Sequence, residues 1–364
     1  MKGGQRNLYD LTLQDLRTDF EGMGIEPYRA NQIYHWLYQK RASGFDRMTD
    51  LPQTLRTQLE ETYTTTLPAL LHEQTDQGVA KDLLELGDGL AVECVRIDSK
   101  DGATACISSQ TGCELGCAFC ATARAGPVRN LSAGEIVGQY LHLSREIPIR
   151  NVVLMGMGEP FLNYETVMKA IHVFTESEGL KIGARRITVS TAGMVPEIYR
   201  FAEEHSQVNL AISLNAPDDA TRKKIMPIAR YYPIDRLMKA CHFYTKTTRR
   251  RLTFEYVLLR EINDKPKHAE ELAKLVKGDL FHVNLIAHNP VKGSGRKAPE
   301  KNRVEQFLRI LTDRGVAATL RRSPGQSIDA ACGQLTTQHA GIVAPASCRH
   351  PARFDDEEQG TSIE

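Results

Sequence analysis

The stretch ACISSQTGCELGCAFCAT, residues 105–122, decides the fold of this chain. It places Cys113, Cys117 and Cys120 four and three residues apart, a spacing that lets one short loop hold three corners of an iron–sulfur cube. Three thiolates leave the fourth iron open, and an iron with a free position can bind a substrate or cofactor. We therefore expect a cluster that takes part in chemistry.

Other uses of these cysteines fit less well. Eight cysteines in 364 residues are too few for a disulfide scaffold. A structural zinc site needs four ligands, usually in two Cys pairs separated by a longer gap. One of the eleven histidines could complete such a site, so structural zinc stays an alternative on spacing alone.

Composition and the first residues indicate an ordinary globular protein. The chain is 25% charged and 41% hydrophobic, and it is long enough for one large barrel and a small domain. The N-terminal MKGGQRNLYDLTLQDL lacks the apolar core of a signal peptide, and no run of about 18 apolar residues occurs. We expect a cytoplasmic protein with reduced cysteines and no contact with a membrane.

The net charge of +1 gives no support to a nucleic-acid partner, although its distribution is uneven. A solvated surface explains any one of the basic clusters, yet such patches can also bind phosphates. The clusters are Arg185–Arg186, Lys223–Lys224, Arg249–Arg251, Lys292–Lys297 and Arg321–Arg322, and the acidic run is Asp355–Glu358.

Two patterns precede the cysteine loop. Residues 1–65 show apolar residues at helical spacing, which predicts a small three-helix domain. Residues 66–105 change to short alternating runs, such as LLELGDGLAVECVRI, which predict a β-hairpin extension.

Strand-like and helical segments alternate after the cysteine loop. The apolar runs are NVVLMGM, RRITVS, VNLAISL, LTFEYVLL, FHVNLIA and VAATLRR, with helical segments such as YETVMKAIHVF between them. This alternation predicts an α/β fold, a partial (βα)6 TIM-like barrel over residues 106–345, followed by an acidic, disordered tail over residues 346–364. Active residues of such a barrel lie at the carboxyl ends of the strands.

Polar and glycine-rich residues do follow the apolar runs. Each of these features alone could be turn chemistry, but together they predict a binding site on one rim of the barrel. The candidates are Gly158, Glu159, Ser190, Ser213, Asn215 and Asn289.

The cysteine motif followed by such a barrel resembles the radical S-adenosylmethionine superfamily. ACISSQTGCELGCAFCAT, MGMGEPFLN, VSTAGMVP, HVNLIAHNP and IDAACGQL resemble the RlmN/Cfr family of RNA methyltransferases in particular. RANQIYHWLYQK is similar to that family's small N-terminal helical domain, which we expect to bind RNA. The likeness covers about residues 8–340.

The resemblance implies one [4Fe-4S] cluster on Cys113, Cys117 and Cys120, with exchangeable S-adenosylmethionine. Gly158 and Glu159 would bind the amino group of its methionine part. The carboxylate, ribose and adenine would contact Ser190, Ser213, Asn215 and Asn289. One departure is Asn215, where relatives often carry His, which puts that contact in doubt but not the site.

The resemblance also gives roles to three residues that composition leaves silent. In the family, the cysteine matching Cys332 receives a methyl group from a first S-adenosylmethionine. A second S-adenosylmethionine is cleaved to a radical that takes hydrogen from this methyl, and the carbon radical adds to adenine. Cys106 would resolve the adduct and leave a Cys106–Cys332 disulfide, while Glu93 would accept the adenine proton. Without the resemblance, Cys332 would be one more buried thiol, and Glu93 one of 45 acidic residues.

Within the family, the reaction is methylation of adenine at C2 or C8. Pro160 after GMGE, and Thr111–Gly112 before the first cluster cysteine, favour the C2 branch. That branch modifies adenosine 2503 of 23S rRNA and adenosine 37 of tRNAs. We further expect a monomer, an electron donor such as a flavodoxin system, and RNA positioning by residues 1–90 and Arg249–Arg251.

Three alternatives remain. The chain could methylate C8 of the same rRNA adenosine, as the Cfr branch does. It could instead be a non-enzymatic iron–sulfur protein that binds nucleic acid, or a radical enzyme acting on a protein or small molecule. The paired Cys106 and Cys332 argue against the non-enzymatic iron–sulfur protein. The motif IDAACGQL and the N-terminal domain argue against a radical enzyme that acts on a protein or small molecule.

Overall fold

A ten-stranded sheet forms the centre of the molecule. The computed structural model describes residues 5–126, 129–204 and 207–336. The sheet has the strand order β12-β11-β10-β9-β8-β7-β6-β5-β4-β3. The strands are β1 Arg6–Asn7, β2 Tyr63–Thr64, β3 Ala69–Asp76, β4 Val79–Glu85, β5 Ala91–Ile97, β6 Ala103–Cys106, β7 Ile149–Leu154, β8 Ile187–Thr191, β9 Asn209–Ser213, β10 Leu252–Leu258, β11 Phe281–Ala287 and β12 Ala318–Leu320.

Helices follow most of the parallel strands. They are α1 Leu13–Gly22, α2 Tyr28–Tyr34, α3 Gln53–Thr62, α4 Ala121–Ala125, α5 Ala133–Leu143, α6 Tyr164–Thr175, α7 Val195–Glu204, α8 Asp219–Ile225, α9 Ile234–Thr248, α10 Pro266–Val276 and α11 Lys301–Asp313. Strands β6 to β12 pair in parallel, and helices connect each to the next. The predicted α/β barrel of six strand–helix units is confirmed, with β12 as a final strand.

The six apolar runs of the sequence correspond to β7 through β12, and β6 precedes the cysteine loop. Strands β3, β4 and β5 add antiparallel pairs at the β6 edge, as the alternating pattern predicts. The predicted tail over residues 346–364 lies outside the described residues. The domain boundaries at residues 65, 105 and 345 stay predictions.

Strand β10 shows how the barrel separates its two faces. Leu252, Phe254 and Tyr256 are fully buried, and they alternate with Thr253 and Glu255 along the strand. Successive side chains of a strand point to opposite faces, so the apolar residues pack under the surrounding helices while the polar ones face the barrel interior. The interior is therefore partly polar, which allows a site there.

The N-terminal helices pack against α5. The backbone N–H of Gly134 donates to Asp10 Oδ1 at 2.7 Å, and a Cβ at Gly134 would lie 2.9 Å from Tyr9 Cβ. Arg41 donates to the backbone oxygen of Ser144 at 2.9 Å, at the other end of α5. The three predicted helices are present, and a short π-helix, His35–Gln39, extends α2. Among the described residues, no helix has the length and apolarity needed to cross a membrane.

Candidate active site

One cavity opens at the carboxyl ends of the parallel strands. Its volume is about 1060 Å³, including its opening to solvent. Ten of the twelve residues singled out from the sequence line it, and Cys106 and Glu93 lie outside its lining. The ten are Cys113, Cys117, Cys120, Gly158, Glu159, Ser190, Ser213, Asn215, Asn289 and Cys332.

The cysteine loop forms one wall of this cavity. Backbone hydrogen bonds anchor it on both sides, from Ala118 N to Ile225 O at 2.9 Å and from Ala121 N to Gly333 O at 2.7 Å. Burial raises the pKa of the Cys113 thiol well above its ordinary value, and the neighbouring thiols Cys117 and Cys120 raise it further. Three thiols within electrostatic reach of one another suit a positively charged group, which would favour their thiolate forms.

These thiols meet the donor requirement of an iron–sulfur cluster. Within residues 5–126, 129–204 and 207–336, no group of three His, Cys, Asp or Glu side chains could hold a metal ion. A four-iron cluster is different because each thiolate binds its own iron, so the sulfurs need not converge on one point. The three cysteines on one short loop, facing one cavity, fit such a cluster.

A buried arginine beside the cysteine loop was not found from the sequence. The Arg222 guanidinium donates to the backbone oxygens of Ala192 at 2.6 Å, Leu214 at 3.1 Å and Tyr232 at 3.1 Å. Burial lowers its pKa to about 10, and the nearby Cys117 opposes that shift. Arg222 therefore brings positive charge to the loop while joining the ends of β8 and β9 to the segment before α9. Arg222 directly precedes Lys223–Lys224. The sequence of such a basic run does not indicate which of its residues is buried.

The turn after β7 brings a carboxylate into the cavity. Gly158 has φ +100°, and a Cβ there would lie 2.8 Å from the backbone nitrogen of Gln110. Next to it, Glu159 accepts hydrogen bonds from Ala192 N at 2.7 Å and Phe161 N at 3.1 Å. Burial raises the pKa of Glu159 to about 7. A cationic amino group in this cavity would find its counter-charge in Glu159.

The two asparagines of the cavity already have protein partners. Asn215, with φ +58°, accepts from Val257 N at 2.8 Å and places its Nδ2 3.2 Å from Met226 Sδ. Asn289 donates to the backbone oxygen of Cys332 at 2.9 Å and accepts from Gln326 Nε2 at 2.7 Å. Asn289 thus holds the Cys332 loop in place. Contacts of both side chains with a cofactor stay predictions, as do those of the half-buried Ser190 and Ser213.

Cys332 and Cys106 come together although they are far apart in the sequence. Cys332 lies half-buried in the cavity wall, and Cys106 is buried at the end of β6. Burial raises the pKa of Cys106 to about 12, the charge of Cys332 adds to this, and Arg321 opposes it. Both are free thiols, so the disulfide expected after turnover is not formed here.

Glu93 lies behind the cavity. On β5 it is 5% exposed, and its Oε1 lies 3.1 Å from the Nζ of the equally buried Lys81. Its Oε2 accepts from Thr336 N at 2.8 Å, four residues after Cys332. Glu93 thus ties the hairpin strands to the Cys332 loop, and its predicted role as proton acceptor stays a prediction.

Comparison with known proteins agrees with this architecture. The family model described as the radical SAM superfamily matches residues 107–276, and that of the ribosomal RNA large subunit methyltransferase N-terminal domain matches residues 6–64. A probable dual-specificity RNA methyltransferase RlmN of Thermoanaerobacter sp. (strain X514) is 46% identical over 336 residues, 92% of this chain and 98% of that protein. The corresponding protein of Geobacillus thermodenitrificans (strain NG80-2) is 44% identical, over 90% of this chain and 92% of its own.

A solved structure is also similar over most of its length. The crystal structure of a radical SAM methyltransferase from Sphaerobacter thermophilus superimposes with a TM-score of 0.87 at 45% identity. The match covers 90% of this chain and 98% of that one. Both the N-terminal helices and the barrel therefore have counterparts in related proteins.

Proposed function

Since the chain belongs to the RlmN family of radical S-adenosylmethionine methyltransferases, we propose that it methylates C2 of adenosine 2503 in 23S rRNA and of adenosine 37 in tRNAs. The observation that carries the proposal is the convergence of the three-cysteine loop and Cys332 on one cavity, with Cys106 buried against it. Such a convergence has no use in a protein that only binds RNA.

The cofactors would occupy the cavity. A [4Fe-4S] cluster on Cys113, Cys117 and Cys120, with S-adenosylmethionine at its open iron, would supply one-electron cleavage of the sulfonium to an organic radical. Glu159 would bind the amino group of the methionine part, and Ser190, Ser213, Asn215 and Asn289 line the space left for the rest. An electron-transfer protein of the flavodoxin type would supply the electrons.

Cys332 carries the methyl group in this proposal. Adenine C2 is an electron-poor amidine carbon, so a polar transfer of an electrophilic methyl group to it has the wrong sense. The Cys332 thiolate would instead attack the methyl carbon of a first S-adenosylmethionine, become S-methylcysteine and release S-adenosylhomocysteine. A second S-adenosylmethionine provides the radical, so each turnover uses two molecules. Asn289, which binds the backbone of Cys332, would keep the methyl group facing the cavity.

Cys106 and Glu93 would complete the reaction. Once the adduct had lost the C2 proton and given its unpaired electron back to the cluster, the Cys106 thiolate would attack the sulfur of Cys332 and break its bond to the methylene carbon. That carbon would take a proton and leave as the methyl group of the adenine, and a reductant must then open the Cys106–Cys332 disulfide. Glu93 would be the base that accepts the C2 proton of adenine, as the resemblance implies.

RNA would approach from the open side of the cavity. A base must leave its stack to reach a radical inside the barrel, which favours an unpaired or flippable adenosine. Arg124 and Lys292 line a neighbouring pocket with Pro290 and Thr336 and could hold flanking phosphates, as could the N-terminal helices. Arg249–Arg251 precede β10 and so lie at the opposite end of the barrel, which leaves them away from the target base. An RNA substrate of this kind favours a cytoplasmic location.

The proposal is tested by mass spectrometry of nucleosides from 23S rRNA and tRNA. The RNAs are incubated with the anaerobically reconstituted protein, S-adenosylmethionine and reductant. The matched variants are Cys332→Ala and Cys241→Ala, the latter removing a buried thiol outside the cavity.

We expect 2-methyladenosine with the parent and Cys241→Ala, and none with Cys332→Ala. A product of 8-methyladenosine would assign the chain to the C8 branch. No methylated adenosine, despite an intact cluster, would refute the proposal.

A further inference from the structure

Arg321 stands apart among the basic residues of the chain. Its sequence neighbourhood, Arg321–Arg322, is typical of an exposed phosphate-binding patch. Arg322 is indeed exposed, but the Arg321 side chain is only 28% exposed and lines the cavity beside Cys332. Of the residues that line this cavity, Arg321 is the one arginine.

The surroundings of Arg321 place it near both thiols. Its Nη1 lies 3.6 Å from the Sδ of Met155, whose backbone hydrogen-bonds to Cys106. Its backbone N–H donates to Leu285 O at 2.8 Å, which continues the pairing of β12 with β11. The guanidinium is therefore held at the rim of the barrel, next to Cys106 and Cys332.

A buried carboxylate lies beside this guanidinium and offsets part of its charge. Glu255 Oε2 lies 3.8 Å from Arg321 Nη1 and has no hydrogen-bond partner within the described residues. Its other oxygen accepts from Asn284 Nδ2 at 3.0 Å. Burial raises the pKa of Glu255, and the Arg321 charge opposes that rise. One oxygen of Glu255 is therefore hydrogen-bonded to Asn284, and the other lies on the side of Arg321.

We propose that Arg321 is the cation that stabilises the thiolates of Cys332 and Cys106. This proposal rests on the proposed function, which requires both thiols to react as thiolates. When Cys332 loses its proton to solvent, the thiolate can displace a methyl from the S-adenosylmethionine sulfonium, giving S-methylcysteine and S-adenosylhomocysteine. The charge of Cys332 is the largest influence on the pKa of Arg321, which it raises. Such a coupling requires the guanidinium and the Cys332 sulfur to lie close together in the cavity.

Among the described residues that line the cavity, no other titratable group is a cation comparable to Arg321. Cys94, on the neighbouring strand β5, carries a buried thiol within reach of Cys106. Burial and the charge of Arg296 lower the pKa of His288, which keeps that imidazole neutral. The remaining titratable groups of the cavity are Glu159, Glu255 and the cysteines of the loop, Cys113, Cys117 and Cys120.

Thiol alkylation tests this inference without measuring methyl transfer. The full-length, cluster-reconstituted protein is treated anaerobically with iodoacetamide, which the Cys332 thiolate converts to a carbamidomethyl thioether with release of iodide. Mass spectrometry of the Cys332 peptide gives the rate at pH 8.5 and pH 10.5, and peptides already S-methylated are excluded from the count. The variants are Arg321→Gln and Arg321→Lys, with Arg322→Gln as the exposed neighbour control.

Arg321→Gln removes the cation and should slow alkylation at pH 8.5 by about tenfold, because a rise of one unit in the thiol pKa lowers the thiolate fraction about tenfold. At pH 10.5 the rate should fall much less. Arg321→Lys should stay within about threefold of the parent, because it keeps the charge, and Arg322→Gln should match the parent. An Arg321→Gln rate equal to the parent at pH 8.5, or one reduced equally at both pH values, would overturn the proposal.

Glu255→Gln provides a second measurement if Arg321→Gln does not fold. Glutamine keeps the acceptor for Asn284 and removes a negative charge that offsets Arg321. Alkylation of Cys332 at pH 8.5 should then become about threefold faster, since less negative charge opposes the thiolate. A slower or unchanged rate would contradict the proposal. Because the assay needs no RNA and no methyl transfer, its failure would leave the proposed function standing.

Discussion

Substitution of Gly158 by alanine should distort the turn that carries Glu159. The backbone has φ +100° there, and a Cβ would lie 2.6 Å from Gln110 Cβ and 2.8 Å from both Gln110 Cγ and the Gln110 backbone nitrogen. The backbone nitrogen cannot rotate away as a side chain can, because the Gln110 N–H donates to Met157 O at 3.2 Å. The two loops would therefore have to separate.

The magnitude has two parts. Alanine in the left-handed region costs about 1–2 kcal/mol, and forcing extra volume into a packed site costs about 1–3 kcal/mol more. Gly89→Ala isolates the first part, since Gly89 has φ +81° in the β4–β5 turn and a Cβ there would meet nothing within 4 Å. We expect Gly158→Ala to lose about 2–5 kcal/mol and Gly89→Ala about 1–2 kcal/mol.

Thermal unfolding of both variants checks this expectation. At about 2 °C per kcal/mol for a chain of this size, Tm should fall by about 4–10 °C for Gly158→Ala and by about 2–4 °C for Gly89→Ala. Calorimetric titration with S-adenosylmethionine should show lost binding only for Gly158→Ala, because only that change moves Glu159. Equal Tm losses together with unchanged binding would refute the reasoning.

Three further predictions concern the thiols and the buried charges. Cys106→Ala should attack RNA but fail to release it, so denaturing gels should show a covalent protein–RNA adduct that Cys332→Ala does not form; normal turnover would remove the resolving role from Cys106. Because the folded-state pKa of Glu159 is about 7, above its ordinary value, its contribution to stability is present below about pH 4.5 and lost as pH rises through 7, by about 3 kcal/mol. Denaturant melts of Glu159→Gln should lack that part of the decline, and an unchanged pH profile would argue against the raised pKa. Lys81→Met leaves the Glu93 carboxylate buried without the Lys81 ammonium and should lower the free energy of unfolding by about 3–5 kcal/mol. Lys169→Met, which breaks an exposed pair with Asp15, should lower it by under about 1 kcal/mol. Similar losses in the denaturant melts of the two variants would contradict the buried-pair interpretation.

Most of the fold could be predicted because it depends on local periodicity. The apolar runs and the helical segments between them show the parallel barrel, and the carboxyl ends of those strands carry the glycines and polar residues of the cavity. The spacing of Cys113, Cys117 and Cys120 is likewise local, because all three lie in one loop. Such features need only the order of neighbouring residues, which the sequence contains directly.

The partners of individual side chains could not be predicted. Asn289 was expected to contact the cofactor, and the structure shows it bound to the Cys332 backbone. Lys81 and Glu93 meet across neighbouring strands, and their contact depends on the register of those strands. Arg222 and Arg321 belong to basic runs whose letters do not distinguish the buried member from the exposed one.

The sequence by itself determined the alternating strands and helices, the three-cysteine loop and, through resemblance, the family. These follow from short-range spacing and from motifs that lie within single segments. Only the tertiary structure decided that Arg321 lies near both thiols and that Glu255 lies beside Arg321. Those contacts join strands distant along the chain, so the register and curvature of the sheet determine them, and no local pattern encodes either.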